Sequence, residues 1–104
     1  MSTPHILLVD DDPSLLQALS HMLTLRLPGV RIDTAQSARQ ALALLQQHDY
    51  ETIISDVKMP GMDGLELLAQ ISAVHPDTPT LLITGHGDQA LITQALRAGA
   101  YDFI

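Results

Sequence analysis

Short apolar runs alternate along this chain with segments whose apolar residues recur at helical spacing. His5 to Val9 is a continuous run, the pattern of a strand buried on both faces. Asp12-Pro13 supplies a helix N-cap followed by proline at the first helical position, and Leu15, Leu16, Leu19, Met22 and Leu23 repeat at helical spacing until Pro28-Gly29. Val30 to Thr34 alternates like a short strand, Ser37 caps a second helix carrying Ala38, Ala41, Leu42 and Leu45, and Thr52 to Ser55 reads as a third strand. Asp63-Gly64 opens a third helix with Leu65, Leu67, Leu68 and Ile71, which His75-Pro76 ends. Thr80 to Thr84 predicts a fourth strand, Gly85-His86-Gly87-Asp88 a turn and cap, Ala90 to Ala98 a fourth helix closed by Gly99, and Tyr101 to Ile104 the start of a fifth strand.

Strands that alternate with helices at this spacing imply right-handed crossovers and a parallel α/β sheet covered on both faces. The expected architecture is flavodoxin-like, doubly wound, with strand order 2-1-3-4-5 and no fifth helix. Its switch point lies between the first and third strands. Both of those strands end in acid. Ile6-Leu7-Leu8-Val9 leads into Asp10-Asp11-Asp12, and Thr52-Ile53-Ile54-Ser55 leads into Asp56. After Asp56 comes Val57-Lys58-Met59-Pro60-Gly61-Met62-Asp63-Gly64, a segment too rich in Pro and Gly to continue a strand. A carboxylate at a strand mouth with a loop folded over it suits a nucleophile or a metal ligand.

Composition narrows the chemistry. At 104 residues the chain is read as one domain with a single core, and with 3% aromatic residues that core must be built from Leu, Ile, Val and Ala. A formal net charge of −7 argues against direct contact with nucleic acid. The absence of Cys rules out a thiolate nucleophile and a Cys-based zinc site, and suits a reducing cytoplasm. No apolar run is long enough to span a bilayer, and the N-terminus lacks the basic and apolar parts of an export signal, so a cytoplasmic protein with no membrane contact is expected.

Together, Ile6-Leu7-Leu8-Val9-Asp10-Asp11-Asp12, Ser55 to Gly64, Leu82-Ile83-Thr84-Gly85 and Ala98-Gly99-Ala100-Tyr101-Asp102-Phe103-Ile104 resemble the receiver domain of two-component response regulators over the whole of residues 1–104. Thr84-Gly85-His86-Gly87-Asp88 and Gly99-Ala100-Tyr101-Asp102-Phe103-Ile104 look most like receivers of nitrogen-regulator and dicarboxylate-transport-regulator type activators. The resemblance implies that Asp56 is the phosphoacceptor, Thr84 the switch hydroxyl and Phe103 the switch aromatic. It also implies a magnesium ion held by Asp10, Asp11, Asp56 and the backbone carbonyl of Lys58. A sensor histidine kinase is the implied phosphoryl donor, with homodimerisation through the face of the fourth helix and fifth strand, and transcription as the output. The physics of the residues agrees with a cation. Carboxylates about 5 Å apart repel by roughly 3 kcal/mol per pair at an effective dielectric near 20. A divalent cation relieves that repulsion, and hard oxygen ligands favour magnesium over zinc.

Plainer roles compete at several positions. Asp12, followed by Pro13, reads as a helix N-cap and not a ligand. His5, His21, His48 and His75 read as scattered surface or strand-edge residues, whereas the resemblance implies that His86, two places after Thr84, borders the site. One feature departs from the family. Its active-site Lys, at the end of the fifth strand, and its fifth helix would fall beyond Ile104, so the chain is read as a truncated piece. The alternatives are a phosphohydrolase of the haloacid-dehalogenase type and a pseudo-receiver that is never phosphorylated. The first wants Asp-x-Asp followed by Gly and Thr, but Pro13-Ser14 follows Asp12 here.

Overall fold

β1 (His5–Val9), the first strand, is flanked on one side by β2 (Arg31–Ala35) and on the other by β3 (Thr52–Asp56), because two crossovers carry the chain to opposite sides of it. β4 (Thr80–Ile83) and β5 (Asp102–Phe103) extend the sheet beyond β3, and the order β2-β1-β3-β4-β5 is parallel throughout. The computed structural model describes residues 4–56, 64–83 and 102–103. The helices among them are α1 (Pro13–Arg26), α2 (Ala38–Gln47) and α3 (Gly64–Val74). The expected fourth helix lies outside the described residues.

The helix ends follow local chemistry. The Asp12 side chain caps α1, accepting from the backbone N–H groups of Ser14 at 2.9 Å and Leu15 at 3.4 Å, and Pro13 occupies the first turn, where no N–H is needed. At the other end Gly29 takes a left-handed φ of +86°, and the Val30 N–H donates to the Leu27 carbonyl at 3.1 Å. Val30 therefore belongs to the turn, and β2 runs one residue later than its alternation suggested. Ser37 caps α2 by accepting from Gln40 N–H at 3.1 Å, while the Gln40 side chain reaches back to Gln36 N–H at 2.8 Å, a reciprocal pairing of the capping-box kind.

The main core lies on the α2 and α3 side of the sheet. Leu7 and Val9 of β1, Ala35 of β2 and Ile53 of β3 pack there against Ala38, Ala41 and Leu45 of α2 and Leu67 and Ile71 of α3. Every second residue of a strand faces one way, so Leu7 and Val9 enter this core while Leu8 is buried on the α1 side. α1 covers its side less completely than the repeat of five apolar residues predicted. Leu16 is buried and Leu19 and Leu23 are partly covered, but Leu15 and Met22 face solvent and Leu25 is 69% exposed.

Tyr50, 6% exposed, closes the core at the amino end of the strands. Its hydroxyl donates to Asp33 Oδ2 at 2.7 Å, and the His5 ring Nε2 meets the same oxygen at 2.7 Å. The His5 and Tyr50 ring centroids are 4.4 Å apart, and His48 packs edge-on to His5 at 5.6 Å. His5 and His48 are thus parts of a polar and aromatic cluster, not scattered edge residues. Burial pushes the Asp33 carboxyl up, but the bonds from Tyr50 and His5 and the charge of Arg31 outweigh it and hold the group below the ordinary carboxylate value. Burial and the adjacent carboxylate push the Tyr50 hydroxyl well above its own.

Candidate functional site

The carboxyl ends of β1 and β3 bring three acids together. Val9 pairs with Ser55 in the parallel ladder, so Asp10 and Asp56, each one position further, lie side by side at the carboxyl edge of the sheet. Asp11 follows Asp10 in the turn into α1. One carboxylate oxygen from each of Asp10, Asp11 and Asp56 lies within 4.8 Å of the other two. Asp10 is 4% exposed, Asp56 half-buried and Asp11 exposed, so the cluster opens toward solvent on the Asp11 side.

Asp10 is fixed by its backbone and its neighbours. Its N–H extends the ladder by donating to the Ala35 carbonyl at 3.1 Å, and its Oδ1 accepts from the Asp12 N–H at 2.9 Å. Burial pushes the Asp10 carboxyl above the ordinary carboxylate range, against the favourable Asp12 bond, and the charges of Asp56 and Asp11 push the same way. Ser55, fully buried, donates from Oγ to the Asp56 carbonyl at 3.0 Å.

The donor set is all hard oxygen with a negative charge left over, which fits a small divalent cation such as magnesium and not a softer metal. Asp12 is not among the converging carboxylates; it caps α1, as its position before Pro13 predicted. Lys58 and Thr84 lie outside the described residues. Phe103 has its strand position, paired with Leu82 in the β4–β5 ladder, two residues before Thr84 in sequence. The bond from Asp12 N–H to Asp10 escaped the sequence reading, although an acid two residues before a helix cap is the pattern of an Asx turn.

Comparison with known proteins gives these features a context. The family described as "Response regulator receiver domain" matches residues 6–104. The C4-dicarboxylate transport transcriptional regulatory protein DctD of Pseudomonas aeruginosa is 50% identical over 100 residues, which are 95% of this chain and 21% of that protein. DctD of Rhizobium meliloti is 46% identical over 103 residues, 99% of this chain and 22% of its own length. The chain therefore spans about a fifth of these relatives. Among solved structures, FixJ-N superposes with a TM-score of 0.88 at 35% identity, covering 100% of this chain and 82% of that one. The signal receiver domain of an HD domain-containing protein from Pseudomonas fluorescens Pf-5 gives 0.91 at 36% identity, covering 99% and 82%.

Proposed function

Because the chain belongs to the response-regulator receiver family of two-component systems, we propose that Asp56 is its phosphoacceptor and that Asp10 and Asp11 hold the magnesium ion that phosphorylation requires. The supporting observation is the meeting of Asp10, Asp11 and Asp56 at the carboxyl edge of two adjacent strands, the usual place for a site in a parallel α/β sheet. An Asp56 carboxylate oxygen attacks the phosphorus of a phosphohistidine on a sensor kinase. The new P–O bond makes an aspartyl phosphate as the P–N bond breaks, and the imidazole leaves with its electron pair. Bound magnesium supplies charge neutralisation for the phosphoryl oxygens. Asp10, Asp11, Asp56 and the backbone carbonyl of Lys58 would hold the ion. The chain is a switch and not an enzyme acting on a separate substrate; its own chemistry is limited to gaining and losing the phosphoryl group at Asp56.

The readout we propose runs through Thr84 and Phe103. A phosphoryl group beside Thr84 draws its hydroxyl inward, and the space vacated admits the Phe103 ring. The pairing of β5 with β4 supports this order of events by setting Phe103 beside the strand that leads to Thr84. The changed face of the fourth helix and fifth strand would serve a homodimer. The DctD relatives are named as transcriptional regulatory proteins, so transcription is the proposed output, in the cytoplasm, with residues 1–104 as the receiver unit. No described helix is long and apolar enough to cross a membrane. The family match sets the phosphohydrolase alternative aside.

The test is mass spectrometry of the full-length protein incubated with acetyl phosphate and magnesium. One added phosphoryl group is expected, and none on Asp56→Asn. Labelling that persists in Asp56→Asn would overturn the assignment, and a wild-type protein that never labels would make the domain a pseudo-receiver.

A further inference from the structure

We propose that Asp12 is a positioning residue for the cation site: by capping α1 it holds the Asp10-Asp11-Asp12 turn in the shape that presents Asp10 and Asp11 together. The inference rests on the cation-site reading given above. Its physical basis is that Asp12 faces two ways. Its side-chain Oδ1 accepts from Ser14 and Leu15 N–H at the start of α1, and its backbone N–H donates to Asp10 Oδ1 at 2.9 Å. Its carbonyl accepts the first helical bond, from Leu16 N–H at 3.1 Å. Leu16 is the buried residue that fastens this end of α1 to the sheet. On the other side, Asp10 N–H is fastened to the Ala35 carbonyl of β2 at 3.1 Å.

Asp11 is the single residue between these two anchors. Its carboxylate is exposed, so its place is set by the backbone on either side and not by packing. The dihedral angles of Asp12, φ −96° and ψ 106°, are the extended values that a helix cap requires, and they set how the peptide whose N–H bonds Asp10 joins the start of α1. Without the capping oxygen, the first turn of α1 loses the partner of its N–H groups. Asp12 is then free to rotate, and both carboxylates that depend on it lose their fixed direction. The role is geometric and does not depend on the charge of Asp12.

Calorimetric titration of magnesium into the protein tests this with four substitutions. Asp12→Asn, Asp12→Ser, Asp12→Ala and Asp12→Gly all remove the same charge, but only Asn and Ser keep an oxygen that caps. Asn and Ser should bind magnesium alike, and Ala about fivefold more weakly, the equilibrium equivalent of losing an ordinary N-cap. Gly costs a helix start little stability, so Asp12→Gly should keep a melting temperature close to that of Asp12→Asn and still bind magnesium as weakly as Asp12→Ala. Equal affinity across all four substitutions would overturn the proposal, whether or not their melting temperatures differ. Asp56→Asn serves as the control, and magnesium affinity unchanged in that variant would remove the cation-site reading and this inference with it.

Discussion

The two ends of β1 treat a carboxylate in opposite ways. At the amino end, where His5 begins β1, Asp33 reaches from the middle of the neighbouring β2 to take the Tyr50 hydroxyl and the His5 ring on one oxygen, each at 2.7 Å, and its acidity is strengthened. At the carboxyl end, Asp10 is buried with two further carboxylates within 4.8 Å, and its acidity is weakened. Both residues are aspartates beside the same strand. Asp33 is supplied with partners by its own fold, so it serves stability. Asp10 lies among carboxylates whose charges raise its proton affinity, which suits the cation site proposed above.

That contrast is open to attack at either end, and the largest effect belongs to the carboxyl end. Asp56→Asn or Asp11→Asn should weaken magnesium binding by on the order of 3 kcal/mol, because each removes a hard ligand and a charge from the cation. Calorimetry checks this, and an unchanged titration curve would dismantle the site. Next comes the amino end. Asp33→Ala leaves the Tyr50 hydroxyl buried without its acceptor, so urea unfolding should show a loss of about 2–3 kcal/mol. A loss below about 0.5 kcal/mol would place the cluster with ordinary exposed ion pairs.

The signs separate the two ends further. In magnesium-free buffer Asp10→Asn should stabilise the protein by about 1 kcal/mol, since it relieves repulsion while keeping an acceptor for Asp12 N–H. A destabilised Asp10→Asn would mean that its carboxylate is compensated after all. Acid unfolding adds a comparison at the other end. The Asp33 carboxyl has a lower pKa folded than unfolded, so below the ordinary carboxylate value the unfolded chain binds the extra proton first. The Asp33 contribution should thus be complete above that value and fade as pH falls through the depressed folded one. Stability measured against pH should slope less steeply for Asp33→Asn than for the parent in that acid window. The smallest effect is Tyr50→Phe, about 1 kcal/mol, because Asp33 keeps His5 and some access to water.

The carboxyl-end site was more legible in the sequence than the amino-end cluster, and the reason is range. Asp10, Asp11 and Asp56 announce themselves locally, each at the end of an apolar run with a turn behind it, and the crossover rule then brings the two runs together. Asp12 is likewise local, a cap before a proline. The contacts from Asp33 to Tyr50 and His5 span 17 and 28 residues and leave no short-range pattern. One clue was present: Asp33 stands two residues before Ala35, so it shares the core-facing side of β2 and must find partners there. On α1 the apolar residues span too wide an arc to enter one core face. Leu16, Leu19 and Leu23 turn toward the sheet while Leu15 and Met22 turn away.

The position of β1 between β2 and β3 also sets a timetable for the chain as it leaves the ribosome. β1 emerges before both of its neighbours, and the one on its second side is not complete until residue 56. At roughly 5–20 residues per second, about one to four seconds separate the end of β2 from the end of β3. Throughout that interval β1 is an edge strand carrying Leu7, Leu8 and Val9, all of which become buried in the finished fold. A chaperone that holds short apolar strands would therefore have its work in the interval before β3 is complete.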